Sequence, residues 1–147
     1  MKILVAEDDP VSRHMLEKTI IYWGHEVKAA GDGAMAWMLL SINKPPDIAI
    51  LDWDMPKIKG IDLCEKIRRD PEISNIYLIM LTAKDSKDDM IRGYKHGVDD
   101  YLSKPVSADE LRSGLNRAVE VVNLSIKIDK RRELRFQNMK RFMEHDD

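Results

Sequence analysis

Short apolar runs alternate with stretches of helical periodicity along the chain. Each run has the length of a β-strand, and apolar residues spaced three and four positions apart follow it. Stop signals such as Gly24 and Gly97, and breakers such as Pro45 and Pro71, separate the elements. The predicted strands are Lys2–Ala6, Glu26–Ala30, Asp47–Leu51, Ile76–Leu81 and Asp100–Ser103.

The repetition of strand then helix predicts an α/β fold with a parallel sheet covered by helices on both faces. The run Asp47–Leu51 is apolar without alternation after its first residue, which is typical of a strand buried on both sides. Right-handed crossovers turn this order into a three-layer, doubly wound, five-stranded sheet. A hydrophobic content of 44% is sufficient for such a core.

The last predicted helix is unusually long. Ser107 is a good N-cap, Glu110 completes a capping box, and neither Gly nor Pro occurs from Val119 to Met143. We therefore expect one helix from Ser107 toward Met143, with a domain at residues 1–122 and a helical extension or linker at 123–147. Because a solitary polar helix is marginal in water, the extension is expected to form a parallel homodimer stalk, with a solvated linker as the alternative. Its apolar residues are Leu124, Ile128, Leu134, Met139 and Phe142.

Composition excludes several classes of protein. A net charge of −2 gives no electrostatic case for direct nucleic acid or anionic membrane binding, and no apolar run approaches the ~20 residues of a membrane span. The single cysteine, Cys64, permits no internal disulfide and fits a reducing compartment. Since the chain begins directly with a strand and shows no signal peptide, a cytoplasmic location is expected.

Charged residues stand where three of the strands stop. The acids Glu7-Asp8-Asp9 follow the first strand, Asp52 follows the third, and Lys104 follows the fifth. The carboxyl ends of parallel strands gather at one edge of the sheet, where ligands bind. Crowded carboxylates repel one another unless a cation lies among them. The pattern therefore indicates a divalent metal held by carboxylates, with one carboxylate available as a nucleophile.

Four motifs occur in order, each at the end of a strand, and their combination is specific. Together they resemble the receiver (CheY-like) domain of a bacterial two-component response regulator, over residues 1 to about 122. The resemblance implies a flavodoxin-like fold with strand order 2-1-3-4-5, acting as a phosphorylation-activated switch rather than an enzyme. The motifs are Ile3–Pro10 (ILVAEDDP), Leu51–Pro56 (LDWDMP) with Gly60, Leu81-Thr82-Ala83, and Asp99–Pro105 (DDYLSKP).

The resemblance also assigns the phosphoacceptor and the metal ligands. Asp52 is implied to take a phosphoryl group from a histidine kinase or phosphotransfer protein. Mg²⁺ (or Mn²⁺) is implied to bind Asp8, Asp52 and the backbone carbonyl of Asp54. Glu7 stands where the family commonly has Asp, and it is expected to act on the metal through a water molecule.

Three further residues match the rest of the family's switch. Lys104 corresponds to the lysine that pairs with phosphoryl oxygens, and its bond to Pro105 is often cis in the family. Thr82 corresponds to the hydroxyl that moves to the phosphoryl group, and Tyr101 to the aromatic residue that turns inward with it. Ordinary strand packing is the alternative explanation for Thr82 and Tyr101, and for Tyr101 alone it is the better one. With Thr82 and Lys104 in place, the switch is favoured. Trp53, beside Asp52, is expected to be partly exposed over the site.

Two other enzyme-like or carrier functions compete with the switch. An Asp-nucleophile phosphatase would use Asp52 with Asp54 as general acid, but the Glu7-Asp8 pair and Lys104-Pro105 fit a receiver better. A flavodoxin-like cofactor carrier lacks a phosphate-binding loop after the first strand. The four histidines have no metal-ligand spacing. Gly114 stands where winged-helix regulators have an arginine that pairs across a dimer, which argues against that mode of dimerisation.

No DNA-binding domain is expected within these 147 residues, because the predicted receiver and helical extension account for them. Its last six residues, 142–147, resemble the run that leads into diguanylate cyclase domains in longer regulators. Any catalytic output of that kind is expected to lie beyond residue 147.

Overall fold

The structure is a computed structural model, and it describes residues 1–42, 44–83 and 86–144. Strands and helices alternate along the chain as the sequence predicts. The strands are β1 (Lys2–Ala6), β2 (Glu26–Ala30), β3 (Ile48–Asp52), β4 (Tyr77–Thr82) and β5 (Asp100–Ser103). The helices are α1 (Pro10–Tyr22), α2 (Gly33–Leu40), α3 (Gly60–Arg69), α4 (Lys87–Lys95) and α5 (Ala108–Glu144).

The strands form one parallel sheet in the order β2-β1-β3-β4-β5, which confirms the predicted fold class. The element bounds differ from prediction by about one residue. Strand β3 is shifted by one position and takes in Asp52, because Asp52 remains in register with Leu81 of β4. Helix α2 begins at Gly33, since the Asp32 carboxylate accepts a hydrogen bond from Met35 N at 2.7 Å and caps the helix there.

Alternate residues of the strands enter two separate cores, as a sheet covered on both faces requires. Leu4, Leu51 and Met80 pack with residues of α2 and α3 on one face. Ile3 and Ile50 pack on the other face with residues of α1 and α5. The central strand β3 is buried over its whole length, so the residue at its carboxyl end is held by packing on both sides.

Helix α5 is continuous over 37 residues and confirms the predicted long helix. The Ser107 hydroxyl caps it by accepting a hydrogen bond from Glu110 N at 3.1 Å. Leu111 and Leu115 are buried against the sheet, and Val122 is the last residue that packs on that core. The helix then continues for roughly 30 Å with exposed side chains, at 1.5 Å per residue.

Within the described ranges, no helix combines the length and the apolar character needed to cross a membrane. Two features named from the sequence fall outside these ranges. They are His145 and the pair Asp146-Asp147, which end the segment 142–147.

Candidate functional site

The carboxyl ends of the strands bring the predicted site residues together at one edge of the sheet. Glu7 follows β1, Asp52 and Thr82 end β3 and β4, and Lys104 follows β5. Glu7, Asp52 and Thr82 are the polar side chains that are buried within the described residues, with 2%, 3% and 4% of their surface exposed. Buried polar groups are costly unless partnered, so their presence here marks the edge as a site.

The Lys104 ammonium bridges two of the carboxylates. Its Nζ lies 2.9 Å from Asp52 Oδ1, and 3.1 and 3.3 Å from the two Glu7 carboxylate oxygens. Burial alone lowers the pKa of Lys104, but the hydrogen bonds to Asp52 and Glu7 outweigh this effect, and the pKa is raised. The lysine is therefore a fixed positive charge between the first and third strands.

Three carboxylates converge beside that lysine. Oxygens of Glu7, Asp8 and Asp52 lie within 4.8 Å of one another, and Asp8 is exposed while the other two are buried. Burial raises the pKa of Asp52, and the hydrogen bond it shares with Glu7 raises it further. The pKa of Asp8 is also raised, first by its partial burial and then by Asp52. Such a set of hard oxygen ligands with excess negative charge fits Mg²⁺.

The loop after β3 folds back over the end of its own strand. The backbone N–H of Asp54 donates to Asp52 Oδ1 at 3.3 Å, and Gly60 N donates to Trp53 O at 3.0 Å. A Cβ on Gly60 would collide with the Asp52 carbonyl and lie 3.0 Å from Met80 Sδ. A glycine is therefore needed there for the loop to close against the strand.

Strands β4 and β5 are joined at the same edge. The Lys104 backbone N–H donates to the Thr82 carbonyl at 3.0 Å, which places the lysine beside the threonine. The Lys104–Pro105 peptide bond is cis, as the family resemblance implies.

Trp53 corrects one expectation from the sequence. It is buried, with 3% of its surface exposed, instead of lying partly exposed over the site. Asp52 faces the edge, whereas the next side chain enters the core on the α2 and α3 face, where the Tyr101 ring stacks on it at 6.5 Å. The Tyr101 hydroxyl donates to Met90 O at 2.9 Å. The residue after Asp52 is thus in contact with the aromatic residue predicted to act in the switch.

Arg13 also supports the site, and sequence reasoning overlooked it. Its guanidinium donates to Glu7 O at 2.9 Å and to Asp8 O at 3.4 Å, which fixes the backbone that carries both acids. The signal in the sequence was a basic residue in the first turn of the helix after the acids.

Comparison with known proteins agrees with this geometry. Residues 3–116 match the response regulator receiver domain family. The chain is 35% identical over 116 residues to chemotaxis protein CheY1 of Helicobacter pylori, covering 78% of this chain and 94% of that protein. The chain belongs to the receiver domain family, and it is a receiver domain of the two-component response regulators.

Solved structures support the same assignment. The receiver domain of Francisella response regulator 1452 is 35% identical and superposes with a TM-score of 0.75, over 84% of this chain and 98% of that one. A probable two-component system response regulator/GGDEF domain protein has a TM-score of 0.76 at 24% identity, over 84% of this chain and 50% of that one, and it shares the fold. None of these names supports the phosphatase alternative.

Proposed function

We propose that Asp52 is the residue of this receiver that accepts the phosphoryl group, from a histidine kinase or a phosphotransfer protein. The observation that supports this choice most strongly is the position of its carboxylate, which ends the central strand at 2.9 Å from Lys104 Nζ and beside two further acids. A carboxylate is a competent nucleophile toward phosphorus.

In the proposed reaction, a carboxylate oxygen of Asp52 attacks the phosphorus of a phosphohistidine. A new O–P bond forms, the P–N bond breaks, and its electron pair returns to the imidazole nitrogen, which takes up a proton. Phosphoryl transfer depends mainly on positioning and on positive charge near the transferring oxygens. The Lys104 ammonium, which pairs with Asp52 and Glu7 before transfer, is placed to pair with a phosphoryl oxygen afterwards.

We also propose the ligands of the metal that receiver domains bind at their acidic pocket. Asp8, Asp52 and the backbone carbonyl of Asp54 would hold Mg²⁺ or Mn²⁺, with Glu7 acting through a water molecule. When bound, the ion offsets the negative charge that builds up on the phosphoryl oxygens. Arg13 supports this arrangement by donating to the backbone carbonyls of Glu7 and Asp8, the segment that carries both side chains.

The proposed response to phosphorylation is a shift between two arrangements of Thr82 and Tyr101. Thr82 is buried at the end of β4 beside the site, and Tyr101 on β5 contacts helix α4 through Met90. A phosphoryl group favours the state in which the threonine hydroxyl contacts it. The population shifts only as far as the phosphoryl group interacts more favourably with that state than with the other. The surface of α4, β5 and α5 is therefore the proposed output face.

A phosphodonor would reach Asp52 past the start of α1, which follows the acids directly. Val11 and Met15, on one side of that helix, have 68% and 63% of their surface exposed, and such an apolar stripe is suited to a helical partner protein. The setting we propose is cytoplasmic, where the buried Cys64 would stay reduced.

We further propose that the receiver unit ends at about residue 122 and that the following helix pairs in parallel with a second copy. This proposal is supported by the end of core packing at Val122 and by exposed apolar residues beyond it. The stalk would carry the phosphorylation state toward an output domain, for which the resemblance of residues 142–147 favours a diguanylate cyclase. The exposed residues are Leu124, Ile126, Ile128, Leu134, Phe136, Met139, Phe142 and Met143.

The proposed function predicts stoichiometric labelling. Incubated with acetyl phosphate and Mg²⁺, the protein should reach at most one phosphoryl group per chain, and borohydride trapping should place it on Asp52. A chelator should abolish the labelling. The phosphatase alternative predicts many turnovers of a small phosphoester per chain, and that outcome would overturn the proposal.

Removing one proposed metal ligand should have opposite effects on the metal-free and metal-bound protein. Asp8→Asn is expected to abolish stabilisation by Mg²⁺, which arises by mass action in the wild type. Without metal, the same change should stabilise the fold by about 1 kcal/mol or less at pH 7, because like charges 4–5 Å apart repel by roughly that amount in water.

The stabilisation of the metal-free fold by Asp8→Asn should depend on pH, because the pKa of Asp8 is raised in the folded protein. A carboxyl group whose pKa is raised on folding destabilises the fold above the folded pKa, and this cost disappears below the unfolded value of 3.8. The gain from Asp8→Asn should therefore be complete near pH 7 and fade as the pH falls toward 4. Urea unfolding with and without Mg²⁺ measures both effects, with the exposed Glu120→Gln as a charge-matched control. Equal Mg²⁺ responses in Asp8→Asn and wild type would contradict the ligand assignment.

A further inference from the structure

Helix α4 contains a glycine that its backbone does not require. Gly93 lies inside the helix, is buried, and has no positive φ. Alanine would favour the helical conformation at such a position more than glycine does. The reason for a glycine must therefore lie in the space around it.

That space is filled by Tyr101. A Cβ built on Gly93 would overlap the Tyr101 hydroxyl oxygen, and would lie 2.8 Å from Tyr101 Cζ and 3.5 Å from Trp53 Cζ3. The hydroxyl occupies the volume of the missing side chain and donates from there to Met90 O at 2.9 Å. Tyr94 packs edge-on against the same ring, with centroids 5.1 Å apart. Burial, with a further contribution from Tyr94, raises the pKa of Tyr101 to about 12, as expected for an enclosed hydroxyl.

We propose that Gly93 is a positioning residue of the switch, because its missing side chain forms a socket in α4 that holds the Tyr101 hydroxyl and makes the tyrosine and the helix change position together. This inference rests on the proposed role of Tyr101. One wall of the socket is the ring of Trp53, the residue after Asp52. The socket thus joins the phosphoacceptor strand, the aromatic residue of β5 and the output helix through direct contacts.

The socket is tested by a double-mutant cycle of unfolding. Gly93→Ala should raise the unfolding equilibrium constant by at least about tenfold in the wild-type background, since the methyl group displaces the hydroxyl and breaks its hydrogen bond. In a Tyr101→Leu background, the same substitution should be neutral or stabilising. Tyr101→Phe is unsuitable as the partner because Cζ also lies too close. The exposed Lys95→Ala, in the same helix, should show no dependence on residue 101.

Equal effects of Gly93→Ala in the two backgrounds, or stabilisation of the wild type by it, would overturn the socket. If Gly93→Ala alone does not fold, the prediction is that the double variant with Tyr101→Leu does, and failure of both variants would count against the proposal.

The positioning role has its own measurement. With beryllofluoride bound, amide shifts in the wild type should reach Lys87–Lys95 and Asp100–Ser103, whereas in Gly93→Ala they should stay within the loop after Asp52. Gly93→Ala should still accept a phosphoryl group on Asp52. Unchanged shifts in α4 of the variant would refute the positioning role. If the wild type neither accepts a phosphoryl group nor shows amide shifts with beryllofluoride, the proposed function is refuted instead. The unfolding cycle needs no phosphorylation and would still test the socket.

Discussion

Asp52→Asn is expected to reduce phosphoryl labelling by acetyl phosphate to background, a loss on the order of 100-fold or more. An amide lacks the anionic oxygen that attacks phosphorus, although it fills the same volume at the end of β3. The fold should remain intact, because the substitution removes a buried charge whose pKa burial already raises. Incorporation of label from labelled acetyl phosphate into the protein, together with mapping of the borohydride-reduced peptide, measures the effect.

The matched control for this variant is Asp62→Asn, which removes a carboxylate of the same size from the exposed first turn of α3. It should label as the wild type does. Normal labelling of Asp52→Asn, or phosphorylation of another carboxylate in that variant at the wild-type rate, would show that the phosphoacceptor has been assigned wrongly.

The strands and the site edge could be predicted from local sequence because both depend on local information. A short apolar run between turn signals favours a buried strand, and the topology of a parallel sheet then gathers the ends of β1, β3 and β5. Glu7, Asp52 and Lys104 were therefore predictable as neighbours, and the structure places them within hydrogen-bond reach of one another. The roles of these residues in phosphorylation remain predictions.

Contacts between distant elements were not predictable in this way. Trp53 was placed wrongly because its position beside Asp52 in sequence gives no information about the helices that cover it. Arg68 is a second case, since its guanidinium donates to the carbonyls of Ser74, Ile76 and Gly97 and to the Asp99 carboxylate. No local pattern distinguishes such an arginine from an exposed one. Gly93 of α4 is a third case, because the group that requires its small size, the Tyr101 hydroxyl, lies on strand β5.

The long helix leads to the second large expected effect. The full chain should sediment at about twice its mass of 17.0 kDa, at least with beryllofluoride bound, and a version ending near Asn123 should be monomeric. The physical reason is the exposure of Leu124 and Ile128, at 59% and 44%, on a stretch of helix beyond Val122, the last residue of α5 that packs on the core. Such a helix is marginal in water unless its apolar side chains are covered by another chain.

Leu124→Ser with Ile128→Ser should weaken the association by on the order of 100-fold or more, since burial of each such side chain contributes about 1.5–3 kcal/mol. Lys127→Ser with Arg131→Ser is the matched control, because it has the same spacing on the same exposed stretch of helix but removes no apolar surface. Sedimentation equilibrium measures the association, and circular dichroism measures helix content per residue. If the full and shortened chains are both monomeric and have the same helix content per residue, the stalk is ruled out and a solvated linker is favoured. A helix stabilised by pairing should lose its association and its helix content together.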